Sequence, residues 1–452
     1  MNTLIYWFRQ DLRLHDQPAL ARALQHARAT GAALLPVCCV PPDSPTPYGF
    51  ARVGPHRRAF EAQTRAALAA RLRALGSDLL ILAGAAAQVL PRLAAATGAT
   101  QIWCEAIRAP WEAAEEAALA RAGLKLACHW HSSLLDPADL PFEPEAVPTV
   151  FTAFRQAVEG AGVRPAAPLP APDQIPGWEG GAEPRWCGQP WPAWQARWAA
   201  QGLERVPPAA APCPPAHPHS LFPYAHPACQ GGEAAAQAHW ESYLAQGLPH
   251  SYKATRNQVM GFEASSKLSP WLATGALSPR WAWARLQDFE ARHGASASSY
   301  WLWFELLWRD HFRWLHWRHG AALYRARGLS ERPLPTSGPD QDQAFARWCQ
   351  GATGEALVDA GMRELAATGF LSNRLRQIVA SYLIHDLGGD WRAGAAWFEA
   401  QLVDFDVYSN QGNWLYIAGR GTDPRGGRRF DPLRQGREHD PDGCYRARWG
   451  AT

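Results

Sequence analysis

Residues 3–40 read TLIYWFRQDLRLHDQPALARALQHARATGAALLPVCCV. An apolar run, Leu4–Phe8, leads through a polar turn into an Ala/Arg/Leu segment with helical periodicity, Pro18–Ala29, and then into a second apolar run, Leu34–Val40. Continuous apolar runs suit strands covered on both faces, and the helix between them suits the crossover that joins parallel neighbours. The pattern recurs outward from this stretch, with apolar runs at Leu79–Leu82, Gln101–Cys104 and Lys125–Trp130 and a helical segment at His56–Leu75. The alternation predicts an α/β domain over residues 1–135, a parallel sheet covered by helices on both faces. No GxGxxG follows the first strand, so the sheet alone assigns no ligand.

From about Pro165 to Pro227 the chain turns rich in Pro, Gly and Ala (RPAAPLPAPDQIPGWEGG, VPPAAAPCPPAHPH), with too little continuous apolar pattern for a core. Residues 136–230 read as an interdomain connector, partly polyproline II, anchored by Trp186, Trp191 and Trp194. Residues 231–452 read as an all-α domain, with helices at Glu233–Gln246, Pro279–His293, Ser299–His319, Ala356–Thr368, Asn373–Leu387 and Trp391–Leu402.

The 452 residues, 47% hydrophobic and 19% charged with a net charge of +3, describe an ordinary globular chain with room for two or three domains. The chain opens directly on a strand pattern, so no signal or transit peptide is read, and no apolar run reaches the ~20 residues of a membrane helix. The nine cysteines, among them Cys38, Cys39, Cys104 and Cys349, make no metal-ligand spacing and read as mostly reduced and buried. The expectation is a cytoplasmic monomer without a metal. Arg420, Arg425, Arg428, Arg429, Arg434 and Arg437 crowd a Gly-rich C-terminal stretch, which suits a polyanion and equally a solvated tail.

Chemistry concentrates between Gly369 and Trp414. Arg376 and Asp404 can pair inside a pocket, and Asn373 and Asn410 add neutral amides, groups that suit a large, flat, polar heterocycle. The chain carries 23 Trp, an excess that points to stacking or electron transfer. On the helix Ser299–His319, Trp301, Glu305, Trp308 and Phe312 fall on one face, where a base could stack on Trp308 while Glu305 bonds its polar edge. The bland alternative is a core helix with Glu305 paired to an arginine. The run Tyr252–Ser269 (YKATRNQVMGFEASSKLS) gathers hydroxyls, amides and bases that could wrap phosphates.

Together, YWFRQDLRLHDQPAL, YKATRN with SSKLSPWLATG, FELLWRDHF, SNRLRQIVASYLIHDLGGDWR and DFDVYSNQGNWLYIAGRGTDPR resemble the photolyase/cryptochrome family. RRFDPLRQGREHDPDG, with YKATRN, is similar to its DASH branch. The resemblance implies a Rossmann-like N-terminal domain that binds an antenna, a long connector and a C-terminal helical domain holding FAD. By motif position, Tyr252, Ser265, Ser266, Lys267, Leu268 and Ser269 resemble the FAD-phosphate loop. Glu305, Arg309, Asn373 and Arg376 resemble flavin-pocket residues, with Asp404, Asp406 and Asn410 over the isoalloxazine and Asn410 facing N(5). The implied chemistry is blue-light-driven electron transfer from reduced FAD to a cyclobutane pyrimidine dimer flipped into the pocket, with Glu305 and Trp308 holding the dimer.

Gln377 stands where duplex-repairing photolyases carry Met, and Tyr416 where they carry a second stacking Trp, so the resemblance implies action mainly on single-stranded DNA. Trp414 and Trp391 match the inner members of the family's tryptophan relay. The outer position is Gly338, which leaves Trp314, Trp317 or a tyrosine as substitutes. Glu355, Ala356 and Gly361 also depart from the family pattern, and Gly361 in a helix costs roughly 1 kcal/mol relative to Ala. A methenyltetrahydrofolate antenna is implied between the domains, with Glu105 and Phe151–Arg155 as contacts. Two other readings stand beside the repair enzyme: a photoreceptor or regulator with residual repair, and a light-insensitive flavin-containing nucleic-acid binder. Glu305, Trp308 and Asn410 favour repair, and no long low-complexity tail follows Trp449.

Overall fold

The computed structural model describes residues 2–209, 211–333 and 339–450. Five parallel strands, β1 (Thr3–Phe8), β2 (Ala33–Val40), β3 (Leu80–Ala83), β4 (Ala99–Glu105) and β5 (Leu126–His129), lie in the order β3-β2-β1-β4-β5. β1 pairs with β2 on one side and β4 on the other, with Ile5 opposite Leu35 and Ile102, and every residue of β1 is buried. The helices α1 (Pro18–Thr30), α2 (Pro55–Ala74), α3 (Ala86–Thr97) and α4 (Pro110–Arg121) cover it. Proline opens α1, α2 and α4, where its missing N–H is harmless, and Gly31 closes α1 in the left-handed region at φ 62°. The strand order reverses beside β1, which opens a crevice at the C-terminal strand ends.

The stretch read as a coreless connector contains more structure than its composition suggests. α5 (Phe151–Gly160) buries Phe151 and Phe154 in the helical domain. Three short antiparallel strands, β6 (Trp178–Glu179), β7 (Arg185–Trp186) and β8 (Gln189–Pro190), and helix α6 (Trp191–Ala199) bury Trp178, Trp186, Trp191 and Trp198 in the sheet-domain core. Trp191 Nε1 donates to Asp78 at 2.9 Å, whereas Trp194 stays partly buried and donates to the Trp186 carbonyl at 2.8 Å. These large rings are irregularly spaced, so no periodic signal exposes the core they build.

Beyond Gly231 the described residues form helices: α7 (Glu233–Ala245), α8 (Tyr252–Thr255), α9 (Ser269–Thr274), α10 (Pro279–His293), α11 (Tyr300–His319), α12 (Pro339–Gln350), α13 (Ala356–Thr368), α14 (Asn373–Ser381), α15 (Trp391–Gln401), α16 (Val407–Ile417), α17 (Pro432–His439) and α18 (Cys444–Trp449). The helix expected over Asn373–Leu387 changes at Tyr382–Asp386 into a wider π turn. A Cβ on Gly361 would lie 3.1 Å from Val379 Cγ1, so this glycine lets α13 approach α14 closely. No helix among the described residues is long and apolar enough to cross a membrane. All nine cysteines are free; only Cys38, Cys104 and Cys229 are buried, and Cys213 and Cys444 are exposed, so burial is less general than expected.

The polar motif after β1 locks the two domains. Arg13 Nη1 donates to the Gly275 carbonyl at 2.9 Å, Asp16 pairs with Arg280, and Glu233 accepts the Leu14 amide at 2.8 Å and meets His15 at 2.9 Å. Gly275 is required here: at φ 69° its Cβ would stand 2.0 Å from the Gln10 carbonyl oxygen.

Candidate functional site

One cavity of about 510 Å³ opens in the helical domain, continuous with a compartment of about 90 Å³. α11 supplies one wall, and Trp301, Glu305, Trp308 and Phe312 all line it, as does Arg309. The loop before α9 supplies the opposite wall with Ser265, Ser266, Lys267, Leu268 and Ser269, and Tyr252 lies nearby. α14 brings Asn373, Arg376 and Gln377, and the segment entering α16 brings Asp404 and Asp406. Asn410 and Trp414 line the smaller compartment, and Tyr416 closes the larger one. Trp391 lines neither; it is buried and donates to the Ala326 carbonyl at 3.0 Å.

The charged groups divide into anchored pairs. Arg376 Nη2 donates to Asp404 Oδ2 at 2.8 Å and its Nε to the Leu371 carbonyl at 2.9 Å. Asp404 Oδ1 is buried without a partner. Asp406 caps α16 by accepting the Ser409 amide at 2.7 Å and lies 3.4 Å from Arg309. Burial works to raise the Asp406 pKa, but Arg309, Arg313 and the Ser409 amide outweigh it and hold the group below its usual range. Glu305 pairs with Arg256, whose guanidinium stacks 4.6 Å over Trp301. Burial pushes the Glu305 carboxyl up, and Arg256 offsets only part of that.

Lys267 has a backbone φ of 53°, in the region few non-glycine residues occupy. Its Nζ donates to Ser265 Oγ at 3.0 Å, and burial lowers its pKa to about 8. A loop that holds a buried ammonium among hydroxyls in a strained turn suits a phosphate. The cavity therefore has an anion-binding wall, aromatic sides and, across from them, a buried carboxylate oxygen that lacks an N–H donor. A buried acceptor of that kind calls for a partner, and the N–H edge of a flavin supplies one, so these residues fit FAD.

Several placements differ from the sequence reading. Glu105 was expected to touch an antenna, yet it is fully buried and accepts Arg313 Nη2 at 3.0 Å. Phe151, from the same expected contact set, stacks flat on Trp308 at 3.8 Å. Neither lines the separate cavity of about 920 Å³ between the strand ends and α15, where arginines and carboxylates alternate, Arg52 pairing with Glu399, Arg57 with Glu61 and Arg58 with Asp43. Asn410 also reaches that cavity and donates through Nδ2 to the Ala395 carbonyl at 3.0 Å. Gly338 lies outside the described residues. Trp314 and Trp317 pack on Trp130 at 5.1 and 5.0 Å and line neither flavin compartment, so they give Trp414 no adjacent ring. The rings beside Trp414 are Phe398, at 5.1 Å, and Trp348, at 6.3 Å, of which Trp348 is the indole.

The sequence reading placed Arg256 only among the bases of the phosphate-wrapping run, whereas the structure makes it the arginine partner of Glu305 that the bland reading of α11 called for, and the Phe151 stack was not read at all. Arg256 lay within a motif already quoted, but its pairing depends on α11 lying opposite. Asp11, Glu105 and His131 bring ligand-type atoms within 4.8 Å of one another. Arg313 engages Glu105, and Tyr6 and Gln17 donate to Asp11 at 2.8 and 2.9 Å. This balanced cluster serves the domain interface.

Comparison with known proteins bears on both halves. Residues 4–173 match the family model described as DNA photolyase, and residues 301–451 match the FAD binding domain of DNA photolyase. The chain is 40% identical to a cryptochrome DASH of Gloeobacter violaceus over 99% of this chain and 85% of that one, and 40% identical to a cryptochrome DASH of Natronomonas pharaonis over 99% and 90%. Among solved structures, a cryptochrome of Synechocystis sp. superposes with a TM-score of 0.87 at 37% identity, covering 99% of this chain and 88% of that one. A bacterial class III photolyase of Agrobacterium tumefaciens superposes at 0.78 and 29%, covering 99% and 86%.

Proposed function

Since the chain belongs to the photolyase/cryptochrome family, within the group named cryptochrome DASH, we propose that it splits cyclobutane pyrimidine dimers in DNA under blue light, mainly in single strands. The observation that carries this reading is the shared cavity: Glu305 and Trp308 face the same space as the Lys267 loop and the Arg376–Asp404 pair. A lesion and a flavin can therefore lie within contact of each other.

FAD bound there supplies, in its reduced form, the light-absorbing electron donor that dimer splitting requires. The chain's own residues bind and orient. Tyr252, Ser265, Ser266, Lys267 and Ser269 would hold the phosphates, with Leu268 lining the same wall. Asp404 accepts a ring N–H through its free oxygen, while Arg376 keeps that carboxylate paired and Arg309 does the same for Asp406. Asn373 and Asn410 add uncharged amides beside the ring. Glu305, held by Arg256, hydrogen-bonds the dimer and stabilises the charge it gains. Trp308 gives a flat wall, stiffened by Phe151 behind it.

Tyr416 offers less stacking area than a tryptophan and Gln377 less apolar surface than Met. The wall therefore recovers less of the unstacking energy that extraction from a duplex demands, a few kcal/mol per base. Trp414 and Trp391 are proposed as relay members. A folate antenna fits the interdomain cavity of about 920 Å³, by size and place, better than the buried positions of Glu105 and Phe151. The free cysteines suit a reducing cytoplasm.

The test is light-dependent repair of one dimer placed in matched single-stranded and duplex oligonucleotides, using protein whose flavin is reduced chemically beforehand. Repair of the single strand with little in the duplex supports the reading. Equal repair of both removes the strand preference, and no repair with reduced flavin bound moves the weight to a photoreceptor.

A further inference from the structure

The arginine-rich C-terminal stretch does not act as one patch. Arg425, Arg434 and Arg437 are exposed, whereas Arg420 is buried and donates to the carbonyls of Arg332 and Pro333 at 2.6 and 2.7 Å. Arg428 is partly buried, and its contacts run inward. Its Nη2 donates to the Tyr416 hydroxyl and lies 3.0 Å from Asp423 Oδ1, and its guanidinium sits 4.9 Å over the Tyr416 ring. Asp423 has a fully buried side chain whose other oxygen accepts the Gly427 amide at 2.9 Å. The Arg428 amide donates to the carbonyl of Ile417, the last residue of α16, at 3.0 Å. The loop is thus folded back onto the end of the helix that carries Tyr416. Tyr416 stands edge-on to Trp308 at 5.7 Å, and Trp308 lies flat on Phe151 at 3.8 Å.

We propose that Arg428, held in turn by Asp423, is a positioning residue that fixes Tyr416 as one wall of the lesion pocket, and that it does not serve as a phosphate contact. This rests on reading the cavity as the lesion site. An aromatic ring free to turn about χ1 must be ordered when a base enters, and that ordering subtracts from affinity. Here hydroxyl and ring face are both engaged beforehand by a planar guanidinium, which an ammonium cannot match. The chain of contacts Phe151–Trp308–Tyr416–Arg428, flat at its first step and edge-on at its second, then holds Tyr416 in one orientation, and selectivity for a flipped dimer follows from that preorganisation.

The experiment uses the full-length flavoprotein with 3-fluorotyrosine placed at position 416, and dark binding of fluorescent oligonucleotides. In the unsubstituted background the fluorine resonance should stand apart from that of a solvated tyrosine. In Arg428→Gln it should collapse toward the solvated value, and Arg428→Lys should restore it only in part. Arg428→Gln should weaken binding of a dimer-containing single strand about tenfold, the loss of one charged hydrogen bond, with an unchanged salt slope. In a Tyr416→Ala background the same substitution should add little. Arg428→Lys serves alone if Arg428→Gln fails to fold.

An unchanged fluorine resonance overturns the clamp whatever the DNA does. Equal losses in both backgrounds, with a salt slope shallower by about one, make Arg428 a phosphate contact and overturn it too. A wild type that binds dimer-containing and undamaged strands alike sinks the lesion reading, while the fluorine spectrum still decides the clamp.

Discussion

The Arg376–Asp404 pair predicts an asymmetry between its two partners. The Asp404 side chain is 1% exposed and that of Arg376 22% exposed, with one hydrogen bond of 2.8 Å between them. Arg376→Met leaves a carboxylate enclosed with both oxygens lacking a protein partner. Removing one member of a buried pair in this way costs about 3–5 kcal/mol. Asp404→Asn leaves an amide oxygen that can still accept from Arg376, and Arg376 reaches water and keeps its bond to the Leu371 carbonyl. That loss is about 1–2 kcal/mol. The arginine variant should therefore be the less stable by roughly 2–3 kcal/mol. Unfolding of a chain with several cores is not one transition, so the quantity to follow is the urea midpoint of flavin release, read from the rise in flavin fluorescence. Equal midpoints for the two variants, or Arg376→Met within about 0.5 kcal/mol of wild type, the range of ordinary surface changes, would refute the burial argument.

Other perturbations follow from the same geometry. Glu364 is fully buried, accepts the Tyr445 hydroxyl at 2.6 Å, and is pushed up to about 8 by burial. Its folded value lies above the unfolded value of about 4.3, so its contribution to stability is present below the unfolded value and lost as pH rises toward 8. Urea midpoints should fall between pH 5 and 8 more steeply in wild type than in Glu364→Gln, and parallel profiles would contradict this. Glu305→Gln should lower single-strand repair about tenfold, the order of a hydrogen bond to a charged group, with flavin content unchanged; loss of flavin instead would make Glu305 a cofactor residue only. Trp414→Phe should abolish flavin photoreduction with a thiol donor, and Trp391→Phe should slow it. Fast photoreduction in Trp391→Phe would route the relay through Trp348, whose ring lies 6.3 Å from Trp414.

The parallel sheet was legible because strands buried on both faces leave uninterrupted apolar runs, as in TLIYWF and ALLPVCCV. The wall of α11 was legible because helical spacing alone puts Trp301, Glu305, Trp308 and Phe312 on one face. Arg376 and Asp404 were legible as opposite charges within a polar, amide-bearing stretch, Asn373 to Asn410, set among helical runs. What failed was whatever depends on distant chain segments meeting. Phe151 and Trp308 stack because α5 packs on α11, which no local pattern reports. The connector's share of the sheet-domain core was hidden because Trp178, Trp186, Trp191 and Trp198 follow no period. The C-terminal arginines looked alike in sequence, and only tertiary contacts separate the buried Arg420 and the clamping Arg428 from exposed Arg434 and Arg437.

The misplacement of Glu105 also shows what joins the two halves of the molecule. Glu305, Arg309 and Arg313 follow one another at helical steps along α11, and each does a different task. Glu305 faces the cavity, Arg309 donates to the Ser132 carbonyl at 2.6 Å while meeting Asp406, and Arg313 binds Glu105, Ser133 and the His131 carbonyl at 3.0, 2.8 and 2.7 Å. The helix that lines the cavity is thus pinned to the sheet domain one and two turns further along. An antenna ligand could not take Glu105 without releasing Arg313, which is buried and would lose its only carboxylate within 4 Å among the described residues. The larger cavity between the domains offers arginines that are themselves paired, Arg52 with Glu399, Arg57 with Glu61 and Arg58 with Asp43, so a ligand entering there would compete with carboxylates just as one at Glu105 would.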